Sequence, residues 1–292
     1  MQLTHTQAVV LMVANAAMWS IAGVVTRQLD DAQGFEITFW RSVFTALSLL
    51  VLLPLMQGRQ VFAQMARAGR LLWLSGLCWS IMFTAFMMAL TLTTVANVLI
   101  TLSIGPLLTA LVARWTLKHP IALRTWGAIA VAGAGIAWMF ADQLGGDGLL
   151  GSVVALAVPI ASATHWTMVQ HASQRGLQID LVPAVLVGAL LSALYTLPMA
   201  WPMSTSAHDL QLLALLGLVQ LAVPCVLAVI CARVLQAPEV SLLALLEVIF
   251  GIALAWWGAN EVPKPQVLQG GLLVLLALAG NEWLGWQQRQ RQ

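Results

Sequence analysis

Long apolar runs, separated by short polar connections, recur along the whole chain and constrain its fold more than any other feature. A helix needs roughly 20 mostly apolar residues to cross the hydrocarbon core of a bilayer. Within that core, only helices and closed barrels satisfy their own backbone hydrogen bonds. Only 8% of the residues are charged, whereas an average soluble domain has roughly a quarter. The runs therefore predict an all-α polytopic membrane protein.

Ten segments meet the length criterion, and most are bounded by polar, glycine-containing or proline-containing connections. The predicted spans are residues 8–27, 37–56, 70–90, 94–115, 122–140, 149–170, 180–200, 211–233, 238–258 and 266–286. The first run has no basic residues before it and no small-residue cleavage site after it. It is therefore predicted to be a permanent span rather than a signal peptide.

The basic residues predict the orientation, because Lys and Arg are retained on the cytoplasmic side. With the N-terminus inside, the opposite ends of the spans hold only Arg27 and Lys264. The cytoplasmic ends then hold Arg59, Arg67, Arg70, Arg114, Lys118, Arg124, Arg175, Arg233, Arg289 and Arg291. We expect a multi-pass protein of a bacterial-type cytoplasmic (inner) membrane, with both termini in the cytoplasm.

An internal repeat relates the two halves of the chain. Pro120 and Pro263 are 143 positions apart, and so are Gly127 and Gly270, at the same turn and helix start. The predicted units are a first five-helix repeat at 1–143 and a second at 144–292. Because each unit has an odd number of spans, the second is inverted relative to the first. Inverted repeats are found in transporters that bind substrate near the membrane midplane, between the halves.

Several stretches resemble the drug/metabolite transporter superfamily with paired EamA-type domains. They are Ala96–Ile100, Gly105–Leu111, Leu243–Phe250, Phe39-Trp40-Arg41 and Asn260–Pro263. The chain departs from the family pattern at Val248, where proline is usual, and at Ser20, where glycine often follows Trp19. The resemblance covers the whole chain and implies ten helices and transport of a small metabolite, with amino-acid exporters among the candidates. It also implies a central cavity lined by spans 1, 3, 4, 6, 8 and 9.

Two titratable residues lie deep within predicted spans. A carboxylate such as Glu247, in the ninth span, is costly in hydrocarbon and is expected to face the protein interior or a water-filled cavity. It either couples proton movement, binds a cationic group of the substrate, or acts as a structural acid that fixes helix packing. His165, in the sixth span, can titrate near neutral pH. The alternative for His165 is a packed side chain with satisfied hydrogen bonds.

Three tryptophans are expected to line the cavity. Trp19 and Trp79 lie near the centres of their spans and Trp166 follows His165, whereas membrane tryptophan is usually interfacial. The indole ring offers a flat face for stacking and an N–H donor. The tryptophans predicted at the interface are Trp73, Trp115, Trp138, Trp201, Trp256, Trp257, Trp283 and Trp286.

The remaining deep polar residues either line the same cavity or hydrogen-bond across helices as packing contacts. They are Asn15 in the first span, Asn97 and Thr101 in the fourth, and Gln220 in the eighth. Three prolines interrupt backbone hydrogen bonding within spans and are predicted hinges or gates. These are Pro106, Pro159 and Pro224.

Arg41, near the start of the second span beside Glu36, is predicted to extend to the outer surface or to pair with an acid there. Binding of a substrate carboxylate is the alternative. Gly127, Gly133 and Gly135 form a surface of the fifth span that permits close helix contact. We expect it to pack against the tenth span, with a homodimer contact as the alternative.

These features predict a secondary transporter, either an exporter or a facilitator, of small amphipathic metabolites, with amino acids including aromatic ones as the first candidates. The alternative is a proton-coupled exporter of drugs, nucleosides or other metabolites. The sequence has no Walker-type loop for direct ATP drive and no cofactor or metal motif. An intramembrane enzyme needs a carboxylate cluster, a His pair or a nucleophile with its base, so no enzyme and no catalytic residue is predicted. A net charge of +2 argues against a nucleic-acid partner, which leaves a small molecule and the bilayer.

Overall fold

The computed structural model describes residues 3–116, 122–141, 148–174, 181–231, 234–235, 243–244 and 246–290. Within these ranges the chain is helical and contains no strand, which confirms the predicted all-α class. The helices are α1 (His5–Thr26), α2 (Phe35–Gln57), α3 (Gln60–Arg67), α4 (Arg70–Leu92), α5 (Val95–Leu102), α6 (Gly105–Thr116), α7 (Leu123–Ala141), α8 (Leu149–Gln174), α9 (Val182–Thr196), α10 (Ala207–Leu215), α11 (Val223–Cys231), α12 (Leu246–Ala259) and α13 (Pro265–Gln290).

Nine helical segments of the described chain are long and apolar enough to cross a membrane. They are α1, α2, α4, α5 with α6, α7, α8, α9 with the 3₁₀ turn that follows it, α10 with α11, and α13. The shorter apolar helix α12 corresponds to the predicted ninth span, whose residues 238–242 and 245 lie outside the described residues. This agrees with a polytopic protein of about ten membrane helices. The division into two inverted repeats stays a prediction.

Helix α3 was not predicted from the sequence. It connects the second and third spans, and Val61 on one face is buried among the apolar side chains of Leu53 and Phe83. Its polar residues Gln64 and Arg67 are exposed. A search for long apolar runs misses such a helix, because it is short and apolar on one side only.

Two predicted spans are not continuous α-helices. In the fourth span, α5 and α6 are separated by Ser103 and Ile104, and α6 begins at Gly105, one residue before Pro106. Pro106 is the second residue of α6, where its missing N–H disrupts no helical hydrogen bond. In the eighth span, α10 continues into a π-helical segment, Leu216–Ala222, and α11 then begins one residue before Pro224. By contrast, Pro159 lies within α8 without ending it.

Apolar side chains fill the interior and also cover much of the surface. The largest buried cluster includes Leu90 and Ile100 from the first half and Leu216 and Val274 from the second. Large exposed apolar residues such as Leu194 agree with a surface that faces lipid rather than water. All eight tryptophans predicted at the interface are exposed.

Glycine permits the closest helix contact of the fifth and tenth spans. A Cβ at Gly135 of α7 would lie 2.7 Å from the carbonyl oxygen of Gly270 in α13. In the reverse direction, a Cβ at Gly270 would lie 2.5 Å from the carbonyl oxygen of Gly135. Any larger residue would push these helices apart. The predicted packing of the two spans is confirmed at Gly135, whereas a Cβ at Gly127 or Gly133 would meet nothing within 4 Å.

Two buried carboxylates join the α1–α2 connection to the α9–α10 connection. Asp209 accepts hydrogen bonds from the backbone N–H groups of residues 30–32, at 2.8–3.0 Å. Glu36 accepts hydrogen bonds from the backbone N–H groups of Ser204 and Thr205, both at 2.8 Å. The two halves of the chain are therefore connected at this end of the bundle, which is the predicted outer end.

An ion pair strengthens the same end of the bundle. Arg27 donates through Nε to Glu261 at 2.8 Å and through its terminal nitrogens to the carbonyl oxygens of Leu90 and Thr93. The other carboxylate oxygen of Glu261 accepts the N–H of Val95 at 2.5 Å. We call these five residues the Arg27 network. It connects the ends of α1, α4 and α5 to the turn between α12 and α13.

Candidate functional site

An aromatic cluster lies between α4 and α8. The Trp79 ring centroid is 5.5 Å from that of Phe83 and 5.6 Å from that of His165. The Nδ1 atom of His165 lies 3.1 Å from the hydroxyl of Ser75. His165 also meets Trp166 edge-on, with 4.8 Å between the ring centroids. Although the two are neighbours, His165 is 3% exposed and Trp166 is 48% exposed. The structure thus brings Trp79 and His165 together in the interior and leaves Trp166 half outside.

Arg41 of α2 adjoins this cluster through Phe83. Its guanidinium carbon lies 5.5 Å from the Phe86 ring centroid and 5.9 Å from that of Phe83. The side chain is 2% exposed, and among the described residues it has no acidic partner. The prediction that Arg41 extends outward or pairs with an acid is therefore wrong. Glu36, the neighbouring acid, already accepts its hydrogen bonds from the α9–α10 connection, and the aromatic faces attract the cation inward.

Cys225 of α11 and Glu247 of α12 belong to the same region. Cys225 is buried in the apolar cluster that also contains Phe83, the ring that the Arg41 guanidinium faces. Glu247 forms no hydrogen bond or ion pair within the part of the chain that the structure describes. Arg41 and Glu247 come from different halves of the chain and form no ion pair with each other.

Asn15 and Gln220 place unpaired polar atoms in the interior. Asn15 is fully buried, and neither atom of its amide has a partner among the described residues. Gln220, in the π-helical segment, donates through Nε2 to the carbonyl oxygen of Trp19 at 3.4 Å, while its Oε1 has no partner. The Trp19 ring packs instead against a small apolar cluster that includes Met12 and Cys231. It makes no ring contact with Trp79 or Trp166.

Asn97 and Thr101 serve mainly the local structure of α5. The Asn97 backbone N–H donates to the capping hydroxyl of Thr94 at 3.2 Å, and its Nδ2 donates to the hydroxyl of Thr93 at 2.9 Å. Thr101 donates to the carbonyl oxygen of Asn97 at 2.7 Å. Only the Oδ1 atom of Asn97 is left unpaired. These bonds favour the packing interpretation for Thr101 and leave Asn97 one free acceptor.

Of the three prolines predicted as hinges, Pro106 and Pro224 lie beside helix irregularities, whereas Pro159 lies inside the continuous helix α8. The break before Pro106 packs near Pro159, because a Cβ at Gly105 would lie 3.8 Å from the Pro159 Cβ. Pro224 is the second residue of α11, which begins directly after the π-helical segment that carries Gln220. A hinge role for these prolines stays a prediction.

One group of side chains has atoms close enough to share a metal ion. The ligand atoms of Asp30, His208 and Asp209 all lie within 4.8 Å of one another. The Asp209 carboxylate already accepts three backbone N–H bonds, and Asp30 and His208 are exposed. We interpret the group as a structural connection between α10 and the α1–α2 connection.

Sequence reasoning missed Ser75, Phe83, Phe86 and Cys225. Ser75, Trp79 and Phe83 are spaced at i, i+4 and i+8, which places them on one face of a helix. Starting from Trp79, that spacing could have identified Ser75 and Phe83. A cysteine within an apolar run gives no comparable signal, because free cysteine commonly packs as a small apolar residue.

Comparisons with known proteins agree with the fold and the resemblance. The model of the EamA-like transporter family matches residues 6–141, just under half of the chain, and confirms the resemblance to the drug/metabolite transporter superfamily. A solved structure described only as a crystal structure of a protein has a TM-score of 0.65, covering 97% of this chain and 99% of that chain. The two sequences are 15% identical, so the likeness shows the fold alone. No curated protein matches the sequence.

Proposed function

We propose that this protein is a secondary transporter that moves small amphipathic metabolites across a cytoplasmic membrane, as an exporter or a facilitator. Amino acids, including aromatic ones, are the first candidate substrates. The match of residues 6–141 to a transporter family supports membrane transport of a small molecule and a non-enzymatic function. The proposed substrate class rests on the side chains in the interior of the bundle.

The observation that carries the proposal is a set of buried polar atoms without protein partners, on helices from both halves. Asn15 contributes a whole amide, and Asn97 and Gln220 contribute one acceptor each. Leaving a buried donor or acceptor unsatisfied costs about 1–3 kcal/mol. A protein that keeps several such groups deep in a membrane bundle is expected to satisfy them with water or with a polar substrate.

The aromatic cluster supports an amphipathic substrate. Trp79 and Phe83 present faces suited to a planar or apolar side chain. His165 and Ser75 provide polar groups beside those faces. A small metabolite with one apolar and one polar end can satisfy both kinds of surface.

Flux measurements with a matched pair of tryptophan variants test the proposal. We expect purified protein in liposomes to give saturable uptake of radiolabelled tryptophan or phenylalanine. Trp79→Ala is expected to raise KM about three- to tenfold, since an aromatic pair contributes roughly 0.5–1.5 kcal/mol beyond its burial. Trp73→Ala, an exposed position on the same helix, is the control and should leave KM unchanged. Absence of saturable flux for any amino acid, or equal loss in both variants, would contradict the proposal.

A proton-coupled exporter of drugs, nucleosides or other metabolites is the second candidate. It is favoured by Glu247, a carboxylate within a span that has no ion-pair partner among the described residues. Intramembrane carboxylates commonly form proton relays in transporters. The two candidates differ in whether flux responds to a pH gradient.

A further inference from the structure

We infer that Arg41 is the anion-binding residue of this transport site and that it takes the carboxylate group of the substrate. The inference rests on the proposed function, because it assigns a chemical class to the same site. It comes from the position of the side chain, which differs from the position expected from the sequence.

Arg41 is a buried cation without a counter-ion. Its guanidinium remains charged at any physiological pH, and the side chain is 2% exposed. Its Nε has no hydrogen-bond partner, and no acidic side chain of the described residues lies within ion-pair distance. Proteins normally pair a buried charge or place it where it acts. An arginine kept unpaired at this depth is therefore a functional candidate.

The surroundings of Arg41 hold the guanidinium without saturating it. Phe83 and Phe86 lie 5.9 and 5.5 Å from its central carbon, and such cation–π contacts replace part of the lost hydration. An aromatic face does not replace the hydrogen-bond acceptors that the guanidinium N–H groups require in their own plane. One turn earlier, Thr38 has a buried hydroxyl that is also unpartnered. This face of α2 therefore presents unused hydrogen-bonding capacity to the interior.

Carboxylate is the anion that fits best. The planar fork of arginine matches a carboxylate through two parallel N–H···O bonds. Among the described residues no second cation accompanies Arg41 in this region, so the site balances one negative charge better than the two of a phosphate. Phe83 also contacts Trp79, which places an aromatic surface next to the charged group.

Three indole compounds distinguish recognition of the substrate carboxylate from recognition of its amine and its ring. Tryptophan has both charged groups, indole-3-propionate only the carboxylate and tryptamine only the amine. In liposomes, Arg41→Gln is expected to raise KM about ten- to a hundredfold for both carboxylates and to leave tryptamine unchanged. Arg67→Gln, an exposed position on α3, is the matched control. Unchanged carboxylate flux in Arg41→Gln, or equal loss for all three compounds, would overturn the inference.

Two further readouts exclude a merely structural role. Arg41→Gln removes an unpaired buried charge, so its melting temperature should equal or exceed that of the wild type. Arg41→Lys keeps the charge but loses the planar fork, so it should restore carboxylate flux only in part. A lower melting temperature in Arg41→Gln together with no rescue by Arg41→Lys would make Arg41 a packing residue.

A binding measurement in detergent does not depend on transport, so it tests the role of Arg41 separately from the proposed function. If the wild type moves none of the three compounds, the proposed substrate class fails, but Arg41 can still be tested. Indole-3-propionate should raise the melting temperature of the wild type more than its amide does, and this difference should vanish in Arg41→Gln. If the acid does not stabilise the wild type more than the amide, or if Arg41→Gln keeps the difference, Arg41 is not an anion-binding residue.

Discussion

At the scale of single residues, Glu247 offers the sharpest distinction between mechanisms. It is an acid within a span, and it has no ion-pair partner among the described residues. A proton-coupled carrier needs a group that alternately binds and releases a proton, whereas a facilitator does not. The identity of this side chain therefore determines whether a pH gradient can drive flux.

We expect Glu247→Gln to abolish any acceleration of flux by a pH gradient, because glutamine keeps the shape of the side chain but cannot exchange a proton. Flux at equal pH on both sides should persist, with at most a tenfold change. Asp31→Asn, which alters an exposed acid, serves as the control. A gradient response that survives in Glu247→Gln would remove this residue from the coupling mechanism.

The sequence located the deep polar residues but could not show which of them are paired. Thr101 and Asn15 both lie within apolar runs, yet Thr101 donates to its own helix and Asn15 has no partner among the described residues. Arg41 and Glu36 are neighbours in sequence, but one faces the aromatic cluster and the other the α9–α10 connection. Pairing depends on contacts between distant segments, which hydropathy and spacing do not encode.

At the scale of helices, the irregular spans coincide with the proposed site. Gln220 lies within the π-helical segment Leu216–Ala222, and π-helical turns frequently occur at functional sites. The fourth span is broken directly after the helix that carries Asn97. The sequence predicted irregularity from Pro106 and Pro224. It did not predict the π-helical turn, because no residue type specifies that geometry.

The Arg27 network should control the stability of its end of the bundle. Glu261→Gln removes the ion pair with Arg27 but leaves an amide oxygen that can accept the N–H of Val95. The side chains of Arg27 and Glu261 are 27% and 17% exposed. We expect a loss of about 1–3 kcal/mol of stability and faster hydrogen exchange at residues 90–95. Asp31→Asn, near the same end of the bundle, is the control. Unchanged exchange in Glu261→Gln would show that apolar packing alone holds the ends of α4 and α5 together.

At the scale of the whole molecule, hydropathy predicted the helix content and the number of spans well. Burial of long apolar runs in a bilayer leaves few alternatives, and the α7–α13 contact at Gly135 was also foreseeable. The fold shared with a solved structure at 15% identity indicates how weakly it depends on particular side chains. The site depends on them strongly, which is why the sequence predicted the architecture better than the position of Arg41.

The predicted inverted repeats imply alternating access, in which one half rocks against the other around a fixed substrate site. The most direct test is counterflow in sealed liposomes. Vesicles preloaded with unlabelled tryptophan should take up labelled tryptophan faster than empty vesicles, and transiently above its external concentration. Equal uptake by preloaded and empty vesicles, or no uptake beyond that of protein-free vesicles, would contradict a carrier of amino acids.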